Sequence, residues 1–164
     1  MRSWSLIASL LVPLAAHATG YDANGVTLGA TEQDIKKKFP SAFCKPLEWT
    51  SKAADRRCDD AKIVVGGIAA RVTFYLKTDA VQAIDVRFDI KDTERMAAFL
   101  KQRYGAPSAE ARDTIVDGDK KREVYKVRWE RGKDYAVLTA QLDKRRGELT
   151  VARGNFEEEI YRVR

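Results

Sequence analysis

Alternation of apolar and polar residues constrains the fold of this chain most strongly, and it appears in two separate stretches. In the first stretch a short apolar run, 61–65, ends at the turn signal Gly66-Gly67, and apolar residues then recur at every second position. Because side chains of a β-strand point alternately to opposite faces, this period predicts strands with one apolar and one polar face. The alternating apolar residues of this stretch are Val72, Phe74, Leu76, Ile84, Val86, Phe88 and Ile90.

The second stretch repeats the pattern, with strands predicted around 125–129, 136–142 and 149–151 and turn signals between them. Its alternating apolar residues are Tyr125, Val127, Trp129, Ala136, Leu138, Ala140, Leu142, Leu149 and Val151. We therefore expect each stretch to form an antiparallel meander of three strands. The apolar face of each meander must be covered by another element.

A helix is predicted before each meander. The first, about 32–39, begins where Thr31 and Asp34 form a variant of the capping box, with Asp in place of Glu. The second, about 92–104, has Asp92 as its expected N-cap and apolar residues three to four positions apart along one face. Both predicted helices end just before a proline, Pro40 or Pro107, because proline cannot continue a helix. Each can cover one apolar sheet face.

Both halves of the chain, about 25–90 and 91–153, thus consist of a predicted helix followed by three predicted strands. We predict the α+β class, in which two tandem helix-plus-three-strand units form one antiparallel sheet with the helices packed on one face. Residues 19–164 are expected to form a single domain that ends in a helical segment at 155–164. Chance similarity of two meanders is the alternative to a duplication.

The N-terminus predicts export. Arg2 is a short positive start, the apolar stretch 6–16 follows, and Ala16-His17-Ala18 is a cleavage site of the small-x-small type. We predict a signal peptide at 1–18 and a periplasmic or secreted product with no transmembrane segment. An uncleaved anchor is the alternative, but the apolar stretch contains Pro13 and falls short of the about 20 residues that a spanning helix needs.

Cys44 and Cys58 are the only two cysteines, and they lie 14 positions apart. An exported chain meets an oxidising compartment, so we predict a disulfide between them. Closing a loop of this length stabilises the fold by about 3 kcal/mol on the chain-entropy relation. A redox-active pair is the alternative, but the spacing is far from the C-x-x-C arrangement that tunes thiol reactivity.

The only histidine, His17, lies inside the predicted signal peptide. Histidine is the usual general base near neutral pH and the commonest metal ligand, so its loss removes most hydrolase and zinc-site interpretations. We predict no catalytic residues, no metal and no cofactor, and hence a protein that is not an enzyme. An active site assembled from distant carboxylates or a lysine is the alternative.

The polar face of the predicted sheet is the candidate binding surface. Arginine and tyrosine are enriched in protein interfaces, where they combine a large contact area with directional hydrogen bonds. The net charge of +6 becomes +5 when Arg2 leaves with the signal, which favours an acidic partner, whereas nucleic acid is not expected for an exported chain. The predicted partner-binding residues are Arg71, Tyr75, Arg87, Lys126, Arg128 and Tyr135.

Two alternatives to this surface stay open. The face could be an ordinary solvated sheet face, or the strands could face the other way, which would expose Tyr125 and Trp129 instead. The oligomeric state is not predicted by any feature of the sequence. Three basic clusters, Lys36-Lys37-Lys38, Lys120-Lys121-Arg122 and Lys144-Arg145-Arg146, are explained by their places at the ends of predicted elements, and phosphate-rich lipid or acidic glycan is the alternative.

A resemblance rests on Gly25-Val-Thr-Leu-Gly29, Phe39-Pro40 and Tyr104-Gly-Ala-Pro107, together with the layout of 25–153. In these features the chain resembles small envelope proteins grouped around the outer-membrane assembly lipoprotein BamE and the beta-lactamase inhibitory protein BLIP. The resemblance implies a non-enzymatic protein that acts by protein contact, as an inhibitor, adaptor or assembly factor. Unlike BamE, this chain has no cysteine for lipid attachment behind its signal. A periplasmic lipid- or glycan-binding protein with a large internal apolar pocket is the alternative function.

Overall fold

The computed structural model describes residues 20–161, except for the side chain of Asp117. The predicted signal peptide at 1–18 and the last part of the predicted C-terminal helical segment, 162–164, lie outside the described residues. No helix within the described range combines the length and the apolar character that a membrane crossing requires.

Strands dominate the structure. A hairpin of β1 (Asp22–Ala23) and β2 (Val26–Thr27) comes first. An antiparallel sheet of eight strands follows, made of β3 (Phe43–Pro46), β4 (Arg56–Val65), β5 (Ile68–Lys77), β6 (Ala80–Asp89), β7 (Ala109–Asp117), β8 (Lys120–Arg131), β9 (Asp134–Gln141) and β10 (Arg146–Arg153). Its order is β3-β4-β5-β6-β10-β9-β8-β7, so the first four and the last four strands are two meanders that join where β6 pairs with β10.

Helices are few and short. They are α1 (Glu32–Lys38), a 3-10 turn (Ile90–Asp92), α2 (Thr93–Tyr104) and the single turn α3 (Phe156–Glu159). The capping box of α1 is present, with Thr31 accepting from the Asp34 backbone and Asp34 accepting from the Thr31 backbone. Asp92 lies at the N-cap of α2, as predicted, and Asn155 lies at the N-cap of α3, but neither makes a side-chain cap hydrogen bond.

The predicted fold class is wrong. Of the described residues, 52% are in strands and 18% are helical, which makes the structure mostly β with short helices. Each half contributes four strands to the sheet instead of three, so the chain is not a pair of helix-plus-three-strand units. The added strands, β3 and β7, lie at the two edges of the sheet. An edge strand buries little, and β7 is exposed from Ala109 to Val116, so neither strand carries the alternation that predicts a strand.

One face of the sheet, the inner face, forms the main core. Helices α1 and α2 both pack on it through residues that include Ile35, Phe39, Met96 and Leu100. Large side chains fill the space between these helices and the strands, and Trp129, Phe74, Ile84, Leu138 and Leu149 are among those that are almost fully buried. The N-terminal hairpin closes one side of this core, where Arg103 forms two hydrogen bonds, at 2.8 and 2.6 Å, with the buried carboxylate of Asp22.

The predicted disulfide between Cys44 and Cys58 is confirmed. The two cysteines lie directly opposite each other in the pairing of β3 with β4. Cys58 is fully buried in the main core, whereas Cys44 lies on the edge strand and is partly exposed. The covalent bond therefore ties the short edge strand to the body of the sheet.

Candidate functional site

The outer face of the sheet, opposite α1 and α2, arranges its side chains in rows across the strands. The strand register places Arg71 opposite Arg87 and Arg87 opposite Glu148. It then places Thr139 opposite both Glu148 and Lys126. We call these five residues the charged row. Three of the predicted partner-binding residues, Arg71, Arg87 and Lys126, are exposed within it.

A middle row lies two residues further along each strand and contains Thr73, Asp85, Thr150, Val137 and Arg128. Arg128, the fourth predicted residue, is partly exposed. Its Nε donates to Glu130 at 2.5 Å, and its guanidinium lies 4.8 Å from the centre of the Tyr135 ring. This cation–π contact links the exposed part of the face to the part that is covered.

The remaining two predicted residues, Tyr75 and Tyr135, are not exposed, and that part of the surface prediction is wrong. Their side chains retain only 6% and 8% of their accessible surface. They belong to a third row, with Ala83 and Ala152 between them, and this row is the floor of a second, smaller core on the outer face. We call this third row the covered strip.

The C-terminal segment provides the cover. Phe156 and Ile160 both pack into the smaller core, and the Phe156 ring lies 5.4 Å from the Tyr75 ring. The loop 47–54 fixes this segment by hydrogen bonds, since Trp49 Nε1 donates to the Ile160 carbonyl at 2.9 Å and Ser51 Oγ donates to the Glu159 carbonyl at 3.1 Å. The spacing of Phe156 and Ile160, four residues apart, is the sequence signal that indicates a buried helical side here.

A cleft of about 220 Å³ lies where the cover meets the charged and middle rows, which we together call the exposed rows because all their side chains except Val137 are at least partly exposed. Asp85 lines it, and Thr150 Oγ1 donates to the Asp85 carboxylate at 2.9 Å. Burial, and after it the nearby charge of Glu148, raises the pKa of Asp85 to about 6. Glu148 itself accepts from Arg87 Nε at 2.9 Å. Sequence reasoning missed Glu148 and Thr150, although both alternate with Leu149 and Val151 on β10.

The tyrosines of the covered strip do not take part in proton exchange near neutral pH. Burial raises the pKa of Tyr75 to about 12, and burial likewise raises the pKa of Tyr135 to about 12. Asp85 is thus the group in this cleft whose pKa is shifted toward neutrality. A carboxylic acid in such a place can hold or release one proton, and by itself it changes only the charge of the face.

One group of potential metal ligands contains Glu32, Cys44 and Cys58, whose ligand atoms lie within 4.8 Å of one another. A metal would need cysteine thiolates, and these two sulfur atoms are bonded to each other. Glu32 is also occupied, because it accepts from Lys36 Nζ at 2.7 Å and from Arg56 Nε at 3.0 Å. This group is therefore a structural cluster around the disulfide.

The outer face displays charged side chains on a rigid base. Its exposed side chains come from strands whose other side is anchored in the main core. In comparisons with protein-family models, curated proteins and solved structures, nothing matches this chain. The resemblance to envelope proteins of the BamE and BLIP kind stays a prediction.

Proposed function

We propose that this chain is an exported, non-enzymatic interaction module that binds an acidic protein partner in the cell envelope through the exposed rows of its outer face. Arg71, Arg87, Lys126 and Arg128 are the binding residues in this proposal. The disulfide supports the location, since such bonds form and persist in oxidising compartments. The covered strip has no direct role, and it supports the exposed rows from one side.

The observation that carries the proposal is the uneven pairing of charge on this face. Arg71 and Lys126 are exposed and make no ion pair or side-chain hydrogen bond within the described part of the chain. Glu148 and Glu130, in contrast, are engaged by Arg87 and Arg128. The face thus offers unpaired positive charge on a fixed backbone, and such a surface favours an acidic partner and steers its approach.

The filled interior favours a function in partner binding over a function in ligand storage. A lipid- or glycan-binding protein of the alternative kind needs a cavity between sheet and helices. In the described structure, Trp129, Phe74 and Met96 fill that space and are almost fully buried. A binding role is therefore best assigned to the outside of the sheet.

The test is capture of partners from an envelope fraction with three baits. The first is the wild-type protein, and the second carries Arg71→Ala, Lys126→Ala and Arg128→Ala. The third, Lys120→Ala with Lys121→Ala and Lys133→Ala, removes the same number of positive charges away from the charged row. We expect a captured acidic protein that is lost from the second bait only and that dissociates as salt is raised.

Equal recovery from the wild-type and the second bait would show that the exposed rows are not the interface. Loss from both variants would show that only the total charge matters. Thermal unfolding of each bait, followed by circular dichroism, must show that all three are equally folded.

A further inference from the structure

A groove of about 330 Å³ lies beside the charged row, at the end of the outer face where β6 stops and β10 starts. Its lining includes four arginines from three segments of the chain. Arg71 comes from β5, Arg87 from β6, Arg145 from the turn between β9 and β10, and Arg146 from the first position of β10. Residues far apart in sequence therefore place four guanidinium groups around one concave surface.

These arginines are poorly neutralised. The side chains of Arg71, Arg145 and Arg146 make no hydrogen bond or ion pair with any residue of the range 20–161. The lining contains one carboxylate, that of Asp89, which is turned toward Lys91. Asp89 accepts from the Lys91 backbone N–H at 3.0 Å, and its other oxygen lies 3.6 Å from Lys91 Nζ.

The strand register adds an electrostatic penalty. Arg71 and Arg87 are directly opposite each other on neighbouring strands, and like charges in such a pair destabilise a sheet. Glu148 relieves Arg87 in part, by accepting from its Nε at 2.9 Å, whereas no carboxylate among the described residues pairs with Arg71. An anion in the groove would remove this repulsion by lying among the guanidinium groups.

The groove has a defined wall. The Ile90 backbone N–H donates to the Arg145 carbonyl at 3.1 Å, which fixes the β9–β10 turn against the end of β6. Gly147 lets the turn approach closely, because a Cβ at this position would lie 2.4 Å from Cζ of Phe88. The start of β10 is therefore held against the Phe88 ring on the inner face, which fixes the position of Arg145 and Arg146 beside the end of β6.

From these observations we infer that the groove binds a phosphate group. A guanidinium presents its N–H donors in a planar fork that matches the oxygens of phosphate or carboxylate. A carboxylate has two oxygens in one plane and can satisfy one or two such forks. A terminal phosphate carries up to two negative charges and three oxygens that point in different directions, so it suits arginines that approach from several sides.

This inference goes beyond the proposed function, since it concerns a small oxyanion and depends on Arg145 and Arg146, which the protein interface does not include. The two proposals can fail separately. Arg145→Gln with Arg146→Gln should weaken phosphate binding and leave capture of the acidic protein in place. Lys126→Ala should weaken capture and leave phosphate binding in place.

The experiment is calorimetric titration of the wild-type protein with inorganic phosphate at low ionic strength. We expect saturable binding of one phosphate per chain, weakened at least about 10-fold by Arg145→Gln with Arg146→Gln. The matched control, Lys120→Gln with Lys121→Gln, should bind within twofold of the wild type. No saturable binding, or equal weakening in both variants, would overturn the inference.

A second arm identifies the source of the phosphate. Vesicles of phosphatidylcholine with phosphatidic acid, whose headgroup is a terminal phosphate, are sedimented with each protein. Sedimentation that falls in the Arg145→Gln and Arg146→Gln variant, but not in the control, assigns a lipid headgroup. Saturable binding of free phosphate without sedimentation assigns a soluble phosphate compound.

Discussion

The two faces of the sheet differ in how much of each is covered by other elements. The inner face is covered along most of its length by α1, α2 and the N-terminal hairpin, and its side chains form one continuous apolar core. The outer face has a small core over the covered strip and Val137 of the middle row, and the charged row lies beyond it. The strands thus obtain their stability on one side and display polar side chains on the other.

This difference indicates where amino-acid substitutions can be tolerated. Substitutions on the inner face remove buried contacts that hold both meanders, so they affect the whole fold. On the outer face, the cover is a short segment, so we expect it to open locally without unfolding the sheet. The exposed side chains of this face can therefore vary while the scaffold stays the same. The following predictions test this division, starting with the largest effect.

Phe74→Ala should lower the free energy of unfolding by about 3 to 5 kcal/mol, because Phe74 is fully buried on the inner face and its loss leaves a cavity. Phe156→Ala, which removes the same side chain from the outer core, should cost only about 1 to 2 kcal/mol, because the C-terminal segment can open locally. Urea unfolding of both variants measures the difference. Equal losses would show that the two cores unfold as one unit.

Removal of the disulfide should lower the free energy of unfolding by about 3 kcal/mol, because the unfolded chain regains the freedom of the closed loop. The variant is Cys44→Ala with Cys58→Ala, and chemical unfolding with and without a reducing agent is the measurement. The reducing agent should destabilise the wild type and leave the variant unchanged. A wild type that is insensitive to reduction would contradict a stabilising bond.

Asp85 should make stability decrease as pH rises. Its pKa in the folded protein, about 6, lies above its ordinary value of 3.8, so the folded state binds more protons between these values. The carboxyl group is neutral and well accommodated at pH 4, and it is charged and partly buried at pH 7. We expect an effect on the order of 2 kcal/mol between these pH values, discounted for the partial exposure of the group.

The matched variant is Asp85→Asn, which keeps an acceptor for Thr150 and cannot ionise. Its stability relative to the wild type should rise between pH 4 and pH 7, as measured by urea unfolding. Glu158→Gln, on an exposed side chain of the covering segment, should show no such change with pH. A pH-independent difference for Asp85→Asn would show that burial does not hold a proton on this group.

The smallest expected effect is a gain. Arg71→Gln should raise the free energy of unfolding by about 0.2 to 0.5 kcal/mol at low salt, because it removes the like-charge pair with Arg87. The gain should vanish in about 1 M salt, where the screening length falls to roughly 3 Å. Arg71→Lys keeps the charge and should show no gain. A loss of stability in Arg71→Gln would mean that Arg71 supports the fold.

The inner face accounts for most of what could be predicted from the sequence. Burial on one side forces apolar residues to every second position, and Phe74, Val86 and Leu138 are buried in the main core. The capping box at Thr31 and the disulfide between Cys44 and Cys58 could also be predicted from the sequence. The capping box depends on two side chains three residues apart, and the disulfide depends on an oxidising compartment.

The outer face and the sheet edges show why the rest could not be predicted. Tyr75 and Tyr135 alternate correctly on the polar side, but their burial depends on Phe156 and Ile160, which lie on a separate segment. Edge strand β7 has no buried side to impose a period. The groove of four arginines depends on which strands become neighbours, and that is a property of the sheet order.

The junction of β6 with β10 has a kinetic consequence. Every other neighbouring pair in the sheet joins strands that follow each other along the chain, whereas this pair joins strands from opposite halves. Closing a long loop has a high entropic cost, which slows the pairing of distant strands. Hairpins of consecutive strands should therefore form first, and the pairing of β6 with β10 should form last. Until it forms, each half presents an open strand edge, and we expect the newly made chain to be most vulnerable to proteases at that stage.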